Sequence, residues 1–381
     1  MKLGNVAEVA RARIDNLKPL VAFHTVEAYR LYEKIARELS GLPILRDLES
    51  NGLIQIHNYN PGQFTARGKH VEGYATRLFI RRYGSRGKVL FDLERVEGGI
   101  ILLKVVRGGT TIRVGLKDVV PALRSVAGVR YLDLTGREEY ALVNPASVGP
   151  ELFKSLGLVD YNSVREAAKD IRDAYDRYSG EILLVRRFRV TSPNVYFTAL
   201  YSSNRMLSPA TMNILRPRNL DRDLVKALAL YLNSTLALFQ LLSLFVETEG
   251  AWVRFDKDVW AGVYVPGLES LPKDVLNEAV QIFNEVAKIE KGLESLYSRY
   301  SSGSELQKKI DRIALRMVGL KWSDEQLSEL YKAIKLELDV MHRILEESRV
   351  GKRTSRRKEE SEDEEEESVS RQSSILNWFK K

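Results

Sequence analysis

The chain has no cysteine and only four histidines in 381 residues. The first absence excludes disulfides, thiolate catalysis and cysteine-ligated metal. His24, His57, His70 and His342 are scattered without metal-ligand spacing, so each reads as structural or exposed and no metal site is expected. The N-terminus carries neither a charged-then-apolar secretory signal nor a transit pattern, which makes the cytoplasm the expected location, at the nucleoid if the partner is a nucleic acid. One long apolar run exists, but Lys226, Asn233 and Gln240 punctuate it. A lone span without flanking topology signals makes a poor membrane protein, so the run reads as a buried core helix with no membrane partner.

What is present is enough chain for two or three domains, with 44% hydrophobic residues and a sizeable core to bury. The formal net charge is +8 and the isoelectric point about 9.3. Residues 351–381 hold eight basic and eight acidic side chains, so the whole excess lies in the first 350. That favours a polyanionic partner, although a charge-rich thermophilic surface also comes out basic.

Periodicity sets the expected fold class as α+β. The spacing predicts helices over 6–17 and 25–39, the second with Val26, Tyr29, Tyr32, Ile35, Ala36 and Leu39 facing a core. From Leu53 to Leu116, strand-like segments separated by Asn-Pro-Gly, Gly-Ser-Arg-Gly and Gly-Gly turns predict a small antiparallel sheet or barrel. A short helix at 117–125 and strands at 130–134 and 140–143 would complete an N-terminal mixed module, residues 1–150. A second α+β module, 151–270, opens on a helix capped by Ser163 and Glu166 and running to about Tyr178. Strands at 182–190 and 195–201 follow, and then the long buried helix from Leu224, about six turns, stopped by Thr248, Glu249 and Gly250. Helices at 273–289, 305–318 and 324–347 make a C-terminal hairpin or bundle over 271–350, the last opened by a Ser323–Gln326 capping box.

Two stretches carry a resemblance. Leu232-Asn233-Ser234 in an apolar helix, followed by Glu249-Gly250, Arg254-Phe255 and Val265-Pro266, resembles the C-terminal specificity region of adenine-specific DNA methyltransferases and fused type IIG restriction-modification enzymes. Residues 308–331, KKIDRIALRMVGLKWSDEQLSELY, are similar to the helix-turn-helix ending of many type IIG chains. The resemblance covers roughly residues 100–345 and implies recognition of a target in double-stranded DNA. Its catalytic half is missing. A methyltransferase of this kind needs a glycine-rich cofactor loop and an Asn/Asp-Pro-Pro-aromatic motif; Asn144-Pro145-Ala146-Ser147 lacks the second proline and the aromatic and reads as a turn. A nuclease of the Asp…Glu-x-Lys type needs an acid two residues before Lys104, where leucine stands, so Asp92 and Lys104 read as a sheet residue and a solvated lysine. No catalytic residue and no cofactor of its own is therefore expected; S-adenosylmethionine would enter only through a separate methyltransferase subunit. The competing expectation is a DNA-processing enzyme, nuclease or divergent methyltransferase, whose active site is not recognisable.

Basic residues gather in three clusters that suit DNA. Arg186, Arg187 and Arg189 end a strand, where alternation puts Arg187 and Arg189 on one face and Phe188 on the other. Arg216 and Arg218 bracket Pro217 before the long helix, and Arg254 and Lys257 flank Phe255 after it. Arginines so placed contact phosphates or read guanine edges, and a solvated surface role stands beside both. A fourth group, Arg81, Arg82, Arg86 and Lys88, fits an exposed hairpin equally well. The Arg187–Arg189 strand and the Arg254 loop are expected to face one groove, with Arg165 and Arg172 solvated on a capped helix.

Past Glu346 the helical period stops. Residues 351–371 are a basic block followed by an acidic block with almost nothing apolar, a composition that predicts a disordered tether. Residues 372–381 then bring back large apolar side chains. The spacing of Gln372, Ile375, Trp378 and Phe379 resembles the PCNA-interacting peptide of sliding-clamp partners at every defining position, which implies an archaeal-type PCNA clamp as a partner. One helical turn from Ile375 would gather the three apolar side chains into a single plug, with Gln372 as a polar contact.

Overall fold

A computed structural model describes residues 23–344, apart from 62–63, 67–68, 72–74, 85–88, 158–159, 190, 245, 249–251, 290 and 303. The helix expected over 6–17, Arg86, Lys88, the tether and the terminal peptide lie outside the described residues. In chain order the elements are α1 (Val26–Leu39), α2 (Leu45–Ser50), β1 (Ile54–His57), β2 (Phe64–Ala66), β3 (Lys69–Val71), β4 (Phe79–Ile80), β5 (Phe91–Glu97), β6 (Ile100–Val105), β7 (Thr111–Gly115), β8 (Val119–Ala122) and β9 (Glu139–Leu142). Then come α3 (Pro150–Ser155), α4 (Tyr161–Tyr178), β10 (Gly180–Val185), β11 (Arg187–Phe188), β12 (Ala199–Met206), β13 (Met212–Pro217), α5 (Arg222–Tyr231) and α6 (Thr235–Leu244). After these follow β14 (Val246–Thr248), β15 (Trp252–Arg254), α7 (Lys257–Ala261), α8 (Lys273–Ala287), α9 (Leu296–Ser302) and α10 (Glu305–Met317). A last helix, α11, occupies residues 324–344. The class is α+β.

The central sheet has the order β1-β13-β10-β12, antiparallel throughout. Strand β1, from the first expected module, is thus hydrogen-bonded beside β13 of the second. The strands expected between 53 and 116 do not form one sheet. Only β5-β6-β7 is a local meander, while β4 joins β9 and β8, and β2 pairs with β3. The helix expected at 117–125 is a single turn at Leu116–Asp118 followed by β8, because Val119-Val120-Pro121 offers two stiff β-branched side chains and then a proline without a donor. Residues 130–134 form no strand; Asp133 makes one isolated bridge to Tyr201. The strand expected over 182–190 is split at Arg186, since its amide donates to Thr211 and its carbonyl accepts from Phe255 at 2.7 Å, turning the chain into a second sheet of order β11-β15-β14. The next strand starts at Ala199 rather than 195, and β13 was hidden in what reads as a connection.

Helix α4 begins two residues before the expected cap. Asp160 is the N-cap, its carboxylate accepting from the Asn162 amide at 3.0 Å, while Ser163 lies inside the helix and donates to Asp160 at 2.6 Å. The Ser323–Gln326 capping box does form, with reciprocal bonds of 3.0 and 3.4 Å.

The long apolar run is two helices bent by 64°. Asn233 and Ser234 break it. Buried Asn233 donates to the carbonyls of Ala229 and Ala199, both at 2.8 Å, and accepts from the amides of Thr198 and Ala199. Ser234 then accepts from Ala237 and starts α6. Amide and hydroxyl side chains compete for backbone partners in this way, and here the competition pins the bend to β12. No single helix among the described residues is long and apolar enough to cross a membrane, and α5 and α6 are buried on nearly every side by the sheet and by α8, α10 and α1. The C-terminal helices pack as expected, with Lys309 to Glu285 at 2.7 Å and Arg316 to Asp274 and Glu278 tying α10 to α8.

Candidate nucleic-acid interface

Four of the seven basic residues singled out for DNA come together around the short second sheet and the turn that follows it. Arg187 of β11 sits directly opposite Arg254 of β15, and Phe188 opposite Val253. Side chains alternate across a strand, so the buried Phe188 and Val253 face inward and the two arginines share the outer face. Phe188 meets the ring of Phe255 edge-on at 5.6 Å, and Phe255 meets Trp260 at 6.2 Å. Trp260 in turn donates its indole N–H to the Val185 carbonyl at 2.9 Å. This aromatic ladder fixes the small sheet to the central one.

Asp256, two residues beyond Arg254, joins the group. One carboxylate oxygen accepts from Arg186 Nε at 2.8 Å and the other from Arg254 Nη2 at 2.6 Å. Burial alone would raise the Asp256 pKa, but the bonds from Arg254 and Arg186 outweigh it and hold the carboxyl below its ordinary value. The bond from Asp256 in turn raises the Arg254 pKa. Arg186 also donates to the Ala210 carbonyl at 3.0 Å, so this guanidinium is occupied inside the fold. Arg189 follows β11 half-buried, and its carbonyl accepts from Ser192.

The remaining three residues border β1. Lys257 bonds Glu49 of α2 at 3.0 Å, and the same Glu49 oxygen accepts the Ile56 amide. Exposed Arg218 makes a two-pronged contact with Gln55 Oε1 at 3.2 and 2.5 Å. Between them His57 has its pKa lowered, by burial first and then by Lys257 and Arg218, with Glu49 opposing, so the imidazole is neutral at pH 7. Arg216 differs from the rest. It is 7% exposed and donates to the carbonyls of Asp176 and Arg177, both at 3.3 Å, so its guanidinium closes the C-terminal end of α4. Of the fourth group, Arg81 makes a two-bond ion pair with Asp92 at 2.7 and 2.6 Å across the β4–β5 junction. Lys104, Arg165 and Arg172 are exposed.

Asp256, Glu49 and Gln55 were not singled out from sequence. For Asp256 a signal was present, since Arg254-Phe255-Asp256 puts an acid two residues from an arginine, but its second partner Arg186 is seventy positions away. Asn144 is in a turn and donates to Asp118 at 2.6 Å, the local role expected for it.

No protein-family model matches the chain, and no curated protein matches it. Among solved structures it is similar to the type IIG restriction endonuclease BpuSI, with a TM-score of 0.51 and 14% sequence identity over 85% of this chain and 34% of that one. The chain thus spans about a third of the length of that enzyme, and at this identity the likeness is one of fold.

Proposed function

We propose that this protein is a target-recognition component for double-stranded DNA in an adenine-methyltransferase or restriction-modification-like system. It acts with a separate catalytic subunit that binds S-adenosylmethionine and is tethered to the PCNA sliding clamp by its C-terminal peptide. The observation that carries this reading is the fold likeness to part of a type IIG restriction endonuclease. It is supported by the basic body of the chain and by the outward pairing of Arg187 with Arg254.

In this reading the 1–150 and 151–270 modules meet the duplex together. Arg187, Arg189, Arg254, Lys257 and Arg218 contact it, and Arg186 and Arg216 hold the scaffold beneath. Gln372, Ile375, Trp378 and Phe379 keep the DNA-reading body on a ring threaded on the duplex, raising its effective concentration without new base contacts. Fluorescence anisotropy with a short labelled duplex tests the DNA reading. Binding is expected to weaken linearly in log salt, with each neutralised phosphate adding about 0.9 to the slope. A protein that leaves the duplex unbound at low salt, or that methylates or cleaves it alone with S-adenosylmethionine or a divalent metal, refutes this reading.

A further inference from the structure

We propose that Arg187 and Arg254 form one seat for a backbone phosphate of double-stranded DNA, and that Asp256 is the positioning residue that sets Arg254 for it. This rests on the DNA-recognition reading above and assigns a division of labour within it.

Like charges placed directly opposite on neighbouring strands destabilise a sheet, yet Arg187 and Arg254 are Cα partners on the same outer face. Asp256 offsets part of the repulsion on the Arg254 side. Two guanidinium forks side by side, about 5 Å apart at Cβ, suit the non-bridging oxygens of a phosphate, which arginine binds in two-pronged fashion.

Asp256 supplies the second observation. It occupies the N-cap position of α7, where an aspartate ordinarily accepts a backbone N–H of the first turn. Here the carboxylate makes no cap bond. Both its oxygens are given to arginines instead, one to Arg186 and one to Arg254. Arg186 is anchored again on the Ala210 carbonyl, so the carboxylate is itself held from the scaffold side. Arg254 is engaged through Nη2, while its Nε has no acceptor, so Asp256 steers the fork by one corner. One carboxylate shared between two guanidiniums leaves that group net positive, and Arg187 stands opposite Arg254 on the neighbouring strand.

Charge and positioning make opposite predictions for Asp256. Removing an acid from a DNA-facing surface tightens binding if only net charge matters. Removing a positioning acid weakens it. The test measures duplex affinity of the full chain across a salt series for Arg187→Gln, Arg254→Gln, Asp256→Asn, Asp256→Glu and the Arg254→Gln/Asp256→Asn double variant. Each arginine variant is expected to lose about tenfold in affinity at low salt and about 0.9 of salt slope. Asp256→Asn is expected to lose several-fold, the double variant no more than Arg254→Gln, and Asp256→Glu, which keeps a carboxylate, less than Asp256→Asn. Tighter or unchanged binding by Asp256→Asn overturns the proposal. So does an arginine variant with an unaltered slope that has lost discrimination between duplex sequences, which would mean base contact, or a wild type that prefers single-stranded RNA. Should Asp256→Asn unfold, Asp256→Glu decides: it keeps the charge, so net charge alone predicts unchanged binding, which overturns the proposal, whereas positioning predicts a loss. A wild type that fails to bind any duplex refutes the DNA-recognition reading itself, an outcome distinct from these.

Discussion

Asp311 accepts both the backbone amide and the hydroxyl of Thr235, at 2.6 and 2.5 Å, across 76 positions of sequence. The same carboxylate receives Gln307 and Tyr331, so an acid from α10 holds the first residue of α6 just past the Asn233 bend. Glu337 of α11 does the same for α1, accepting the Thr25 amide at 2.7 Å and its hydroxyl at 2.5 Å. Two helix starts are therefore fastened by carboxylates from distant helices.

Asp311 gives a pH-dependent prediction. Burial raises its pKa to about 6, against the lowering effect of bonds from Thr235, Tyr331 and Gln307. Because the folded value lies above the unfolded one, the stability this group contributes is complete below about pH 4 and is lost as pH rises through about 6. Asp311→Asn should destabilise by about 1–3 kcal/mol by stranding its donors, and the gap between the two proteins should narrow from about pH 4 to about pH 7. Denaturant unfolding across that range measures it; a gap that widens with pH contradicts the assignment.

Asn233→Leu should be destabilising although leucine is the better helix former. It removes the acceptor for the Thr198 and Ala199 amides inside the core. About 3 kcal/mol or more is expected, read by chemical denaturation. A neutral or stabilising result would mean that the bend is set by something other than this side chain.

Reversing charge at Arg187 and Arg254 together should weaken duplex binding far more than reversing Arg165 and Arg172, which are exposed on α4. Net charge changes equally in both double variants, so anisotropy separates a located surface from diffuse attraction. Equal losses would refute the surface.

A peptide spanning Arg371 to Lys381 should bind an archaeal-type sliding clamp with micromolar or tighter affinity, the range of a short anchored helix in a groove. Trp378→Ala with Phe379→Ala should abolish binding. Calorimetry on the peptide and on the full chain checks this, and clamp binding by the full chain that survives both substitutions contradicts the motif.

The amino-acid sequence by itself determined the features that depend on neighbours a few residues apart. Helical period marked α1, α8, α10 and α11, the Ser323–Gln326 box started the last of these, and alternation at Arg187-Phe188 put phenylalanine inward and arginine outward. Apolar content on every face also required that the run after Leu224 be buried. Only the tertiary structure decided that this run bends, since the partners of the Asn233 side chain include Thr198 and the first residue of β12, Ala199. It likewise decided that Arg216 closes α4 while Arg218 stays exposed, that strands adjacent in sequence disperse into different sheets, and that Asp256 lies between Arg186 and Arg254. Each of these is settled by which distant backbone or charged group the fold delivers to a polar side chain, because burial demands a partner and local period does not say where it will come from.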